Sequence, residues 1–177
     1  KPYDTARKGV SVFSTILILG GTGSLGQALT RFRLTTTDVT IRILSRSELL
    51  QKQMADAFQH HPRLRFFLGD VRDLARLNLA CAGVDCVVHA AALKHIDKGE
   101  VDPCEFIATN VHGTSNVISA CRTMGVKRAV FIGSDKQVDA VNVYGATKML
   151  AERLWTQANG YSPYGTAYVS CRYGNVA

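Results

Sequence analysis

Two residues in the C-terminal third have the types and spacing to move a proton. Tyr144 and Lys148 stand four apart in VYGATK, so on a helix they share one face. A free phenol has a pKa of about 10 and is a poor base at neutral pH. An ammonium within ~4–6 Å favours the phenolate and brings that value down. A phenol so tuned can take the proton of an alcohol while hydride leaves the same carbon. The spacing alone is common on helix surfaces. It gains meaning only from what surrounds it.

What surrounds it begins with GGTGSLG, Gly20 to Gly26, directly after the apolar run TILIL. Gly20, Gly23 and Gly26 are spaced GxxGxxG. A tight turn at a strand end needs a residue that accepts positive φ, and close approach of a pyrophosphate needs a backbone without Cβ. The helix that follows offers free N–H groups and a positive dipole end. The loop therefore predicts dinucleotide binding through Gly20, Thr22, Gly23, Ser24, Leu25 and Gly26. The hydride acceptor for the phenol would then be a nicotinamide.

The second strand ends at Leu44-Ser45-Arg46-Ser47, where an NAD site usually has an acidic residue for the ribose. Arg46 can pair bidentately with a 2′-phosphate and Ser45 can add a hydrogen bond, so the reading favours NADP over NAD. The alternative makes Arg46 a solvated charge and gives the ribose to Glu48. After the third strand, Asp70 beside Val71 either accepts the adenine amino group or caps the next turn. Ala90, Ala91 and Ala92 follow the fourth strand; three small residues suit close approach of a cofactor, or plain helix packing.

The elements that must hold these residues form a regular alternation. Strands are predicted at 15–19, 40–44, 64–68, 86–89, 128–132 and 166–171, and helices at 24–34, 47–60, 73–81, 103–124 and 143–158, with Ser47 as a cap. Connections too long for hairpins imply parallel pairing, a doubly wound α/β sheet of Rossmann type with order 3-2-1-4-5-6. Residues 1–14 read as a loose lead-in and 15–177 as one NAD(P)-binding domain. At 177 residues, 46% hydrophobic and 20% charged, the chain is composed like a globular protein. Its longest apolar stretch is too short for a membrane span, and Lys1 opens no apolar signal segment. The net charge of +7 raises nucleic acid, but the basic residues are scattered singly, so an anionic small molecule explains it and no nucleic-acid partner is expected. Five cysteines with no CxxC pair argue for free thiols in a reducing compartment, and no metal site is expected.

These motifs, GGTGSLG, GDVRD, HAAALKH, the helix around Asn110, and SDK followed by YGATK, resemble the extended short-chain dehydrogenase/reductases. Within them the chain is most similar to the 5-epimerising nucleotide-sugar 4,6-dehydratases that act on UDP-N-acetylglucosamine in polysaccharide and flagellin-glycan pathways. The likeness runs from about Thr15 to Val176. It implies that Ser134 hydrogen-bonds the sugar, that Asp135 protonates the hydroxyl leaving carbon 6, and that Lys136 takes the proton from carbon 5. Retaining dehydratases carry Asp-Glu at these two positions. A lysine base must be neutral, so burial or a cationic neighbour would have to depress its pKa from ~10.4; the bland alternative is a solvated ion pair in a loop. The resemblance also implies that Lys94 contacts cofactor or substrate, that Asn110 supports the catalytic lysine at the cofactor site, and that Asn175 contacts substrate. It implies a UDP-sugar partner, a homo-oligomer and a cytoplasmic setting.

The chain departs from the family at Gly133-Ser134, Asp139-Ala140 and Asp97-Lys98-Gly99, all around the sugar pocket. Family members continue well past this length into a region that grips the nucleotide of the sugar; here that region is largely absent, so NADP binding with little turnover is expected of this chain. Two rivals remain: a nucleotide-sugar 4-epimerase, which shares Tyr144 and Lys148 but needs no Asp-Lys pair, and a dinucleotide-binding module without chemistry.

Overall fold

The computed structural model describes residues 12–162 and 165–174, so most of the lead-in and the Asn175 position lie outside the described residues. β1 (Thr15–Leu19) shows why its sequence is wholly apolar. Leu17 and Leu19 enter one core, and Ile16 and Ile18 enter the other. A strand covered on both faces has no side left for polar residues. β2 (Thr40–Ser45) and β4 (Cys86–His89) flank it in parallel, with Leu19 opposite Leu44 on one side and His89 on the other. With β3 (Leu64–Leu68), β5 (Arg128–Ser134) and β6 (Ala167–Tyr173) the sheet has the expected order β3-β2-β1-β4-β5-β6.

α1 (Ser24–Thr36) and α2 (Glu48–Ala57) cover the isoleucine face through Leu34 and Met54. α3 (Leu74–Cys81), α6 (Gly113–Thr123) and α7 (Val143–Gln157) cover the other through Leu77, Val117 and Trp155. The strand order reverses between β1 and β4, which opens a crevice at their C-terminal ends.

Several elements differ from expectation. α2 stops at Ala57 because Gln59 and His60 take positive φ and the His60 N–H turns back to the Ala55 carbonyl. The single helix expected over 103–124 is three pieces: α5 (Pro103–Phe106), a π-helical turn Ile107–His112, and α6. Its apolar spacing survives one widened turn, so periodicity alone does not expose the break. A short α4 (Ile96–Val101) occupies a stretch expected as loop; Gly99 packs on Phe106, and Glu100 accepts the Val143 N–H at 2.8 Å. β5 and β6 run on to Ser134 and Tyr173, which pair with each other. The end of the lead-in is anchored: the Ser14 and Thr15 N–H groups both donate to Asp85.

Candidate active site

The crevice is a cleft of about 940 Å³. Its floor is the glycine loop. Gly20 sits at φ +75°, donates its N–H to the Leu44 carbonyl at 2.8 Å, and accepts from Gly23 N–H. A Cβ on Gly20 would lie 2.8 Å from the Ala91 backbone, and one on Gly26 would lie 2.3 Å from the Gly21 carbonyl. No side chain caps the start of α1, where Gly23 is the N-cap. A backbone cradle closed to any Cβ, ending in uncapped helix N–H groups, is what a pyrophosphate needs. The residues present fit a dinucleotide, and all six expected loop residues line the cleft.

Ser45 and Arg46 line the next stretch. Ser45 is buried, its hydroxyl accepting from the Gln51 carboxamide at 3.0 Å, while Arg46 is half-exposed with a guanidinium nitrogen 3.9 Å from Asp70. Glu48, the alternative ribose ligand, starts α2 and does not line the cleft. Asp70 does line it, and it also takes the capping role: it accepts the Arg72 N–H and the Arg72 guanidinium, which in turn reaches Glu105. Burial pushes the Asp70 pKa up, but the bonds from Arg72 and the charge of Arg46 outweigh it and leave it lowered. Val71, Ala90, Ala91, Ala92 and Lys94 complete this wall.

At the far end stand Ser134, Lys136, Tyr144 and Lys148. Tyr144 and Lys148 share a face of α7, as their spacing requires. Lys148 is 4% exposed; its ammonium donates to the Ile132 carbonyl at 2.6 Å and lies 4.0 Å from the Phe131 ring centroid. Burial pulls its pKa down to about 7, against the opposing pull of Glu152. Asp135 and Lys136 form a 3-10 turn capped by Ser134, with Lys136 Nζ 3.1 Å from the Asp135 carboxylate and both side chains partly exposed; this is the loop ion pair of the alternative reading, and it lacks the burial expected to neutralise the lysine. The bond from Lys136 and that from Ser134 hold Asp135 below the usual carboxylate range. Asp135 itself is not among the lining residues.

Asn110, expected at the cofactor, lies behind the wall. It is buried, exchanges two hydrogen bonds with the backbone of Leu93, and donates to Thr147 at 3.0 Å. It therefore ties the β4 loop to α7 between Tyr144 and Lys148 and does not line the cleft. Sequence reasoning missed Thr109, Tyr173 and Gly174, which do. The Thr109 hydroxyl is buried without a partner, as a group awaiting a ligand would be. It sits in the π-helical turn, which periodicity does not reveal. Among the described residues no group of three or more His, Cys, Asp or Glu could hold a metal ion, and no helix is long and apolar enough to cross a membrane.

A family model described as "polysaccharide biosynthesis protein" matches residues 16–177. The chain is 46% identical over 163 residues to the UDP-N-acetylglucosamine 4,6-dehydratase (inverting) of Campylobacter jejuni, covering 91% of this chain and 48% of that protein. It is 42% identical over 170 residues to the UDP-glucose 4-epimerase of Rickettsia conorii, covering 93% and 50%. Its fold matches DesIV, the dTDP-glucose 4,6-dehydratase of Streptomyces venezuelae solved with NAD bound, at a TM-score of 0.80 and 25% identity over 89% of this chain and 55% of that one. The chain spans about half the length of the curated relatives it matches.

Proposed function

The chain belongs to the polysaccharide biosynthesis protein family, and on that premise we propose that it carries the cofactor site and catalytic groups of a UDP-N-acetylglucosamine 4,6-dehydratase that inverts carbon 5. The observation that carries this reading is Lys136 directly after Asp135, on the same cleft as Tyr144 and Lys148. An epimerase needs the phenol and its lysine but has no use for a second acid–base pair.

When bound, a nicotinamide dinucleotide supplies acceptance of hydride from sugar carbon 4 and its return at carbon 6. Everything else falls to the chain. Tyr144 takes the proton of the 4-hydroxyl, with Lys148 buried beside it. The ketone at carbon 4 acidifies the hydrogen at carbon 5. Lys136 takes that proton as the neutral amine, and Asp135 gives its own to the hydroxyl leaving carbon 6. The C5–H and C6–O bonds break, a C5–C6 double bond forms, and water departs. The pair ends as carboxylate and ammonium, the ion pair found at 3.1 Å. One proton passed from Lys136 to Asp135 restores that pair; the return of hydride at carbon 6 leaves an electron pair that takes a proton at carbon 5 on the face opposite the one it lost, and Tyr144 releases the proton it took from the 4-hydroxyl.

Arg46 and Ser45 support NADP as the dinucleotide; the NAD bound to DesIV keeps NAD as the alternative. The same reading includes a single dinucleotide-binding domain from residue 15, a homo-oligomer, a cytoplasmic setting, and substrate contacts from Lys94, Ser134 and Asn175. The 42% identity to an epimerase favours a second reading, nucleotide-sugar 4-epimerisation. Lys136→Ala separates the two in the protein with its whole substrate region. A dehydratase loses formation of the dehydrated product, whereas an epimerase keeps most of its turnover and never releases water.

A further inference from the structure

We propose that Glu152 is a positioning residue for the turn that carries Asp135 and Lys136, because its buried carboxylate clamps the C-terminal end of β6 against that turn and α7. The residue is 7% exposed and lies one helical turn beyond Lys148. Its carboxylate accepts from the Ser170 hydroxyl and from Arg172 Nε at 3.0 and 3.1 Å, and a further Arg172 nitrogen completes a two-pronged pair. These bonds hold the strand that leads into Tyr173 and Gly174, two residues of the cleft wall. On the other side the strand held by Arg172 pairs with Gly133, next to the turn, where the Gln137 carboxamide nitrogen is buried without a hydrogen-bond partner. The oxygen of that same carboxamide accepts the Ser134 N–H at 3.0 Å and closes the turn over Asp135 and Lys136. There is no slack around it: a Cβ on Gly133 would lie 2.8 Å from that oxygen and 3.2 Å from Arg172 Cγ. One carboxylate thus sets the spacing between the elimination pair and the phenol–lysine helix.

Glu152 also acts on Lys148. Around that ammonium stand the Ile132 carbonyl and the Phe131 ring from β5, His89 from β4, and Glu152 from α7 itself. His89 is uncharged near neutrality, since burial drives its pKa down to about 3. Glu152 is therefore the group that opposes the effect of burial on Lys148. It stays ionised because the Arg172 bonds, against burial, hold it down to about 2.

The assignment of Asp135 and Lys136 to elimination rests on the proposed function; the clamp does not, and its test needs no sugar. Amide hydrogen exchange and the side-chain NMR titration of Lys148 are compared in the unaltered chain, Glu152→Gln and Arg172→Gln. With Glu152→Gln, the Ser134 and Lys136 amides exchange at least tenfold faster relative to Ile18 in β1, and the Lys148 midpoint moves to lower pH. With Arg172→Gln, the same amides speed up while the midpoint moves upward, because the carboxylate loses its counter-charge. Equal acceleration at Ser134 and Ile18, or a Lys148 midpoint that neither variant moves, overturns the proposal. If the exchange pattern holds and the full enzyme forms no dehydrated sugar, the clamp stands and the elimination reading falls.

Discussion

Lys148 donates to the carbonyl of Ile132, two residues before Ser134, the cap of the turn, and in doing so its ammonium is almost wholly withdrawn from water. The helix that carries the phenol and the strand that delivers the acid–base pair are joined through a charge whose burial costs free energy. That cost is readable in stability.

A lysine titrating near 7 in the folded chain and near 10.4 unfolded binds fewer protons folded than unfolded between those values. Stability therefore rises with pH across that window, and below pH 7 the full penalty is present. At ~1.36 kcal/mol per pH unit the penalty is on the order of 4–5 kcal/mol. Lys148→Met removes it and also removes the bond to Ile132, so the variant's advantage is largest at pH 6 and shrinks toward pH 9.5. Urea unfolding of both proteins across that range measures this; a difference that does not change with pH contradicts the burial argument.

Asn110 satisfies three partners at once: the N–H and the carbonyl of Leu93, and the Thr147 hydroxyl. Asn110→Ala orphans the two Leu93 groups inside the protein. Each unpaired buried group costs ~1–3 kcal/mol, so a loss of about 2–6 kcal/mol is expected in denaturant unfolding. A loss below 0.5 kcal/mol, roughly the size of a surface substitution, would show that water replaces the side chain at no cost.

Much of this was legible in the sequence where the cause is local. TILIL, the glycine loop, the Ser47 cap and the alternation of elements each depend on a few neighbouring residues, and all appear where expected. What escaped depends on distant pieces. The π-helical turn is accommodated where Gly113 packs so closely on Val71 that a Cβ would lie 2.7 Å from its methyl. The bond from Asn110 to Thr147 crosses 37 positions, and that from Arg172 to Glu152 crosses 20. The shared proton count of Asp135 and Lys136 became visible only when both were seen in one capped turn.

Arg46 tests the choice of cofactor. If it pairs with a 2′-phosphate, Arg46→Ala weakens NADP and leaves NAD nearly unchanged. Hydrogen bonds to charged groups are worth ~1.5–3 kcal/mol, which is a loss of roughly ten- to a hundredfold. Asp70 keeps Arg72 as a partner in the variant, so the local fold is retained. Calorimetric titration with the two dinucleotides reads the ratio; equal weakening of both would return Arg46 to a solvated charge.

The cradle at Gly20 to Gly26 underlies every step, and direct titration of the chain with NADP, alongside Gly26→Ala and Gly160→Ala, tests it most closely. A Cβ at Gly26 meets the loop's own carbonyl at 2.3 Å, whereas one at Gly160 meets nothing within 4 Å. The account predicts one saturable site in the unaltered chain, kept in Gly160→Ala and lost in Gly26→Ala while circular dichroism shows the sheet still folded. No binding by the unaltered chain, or equal binding by Gly26→Ala, would contradict it.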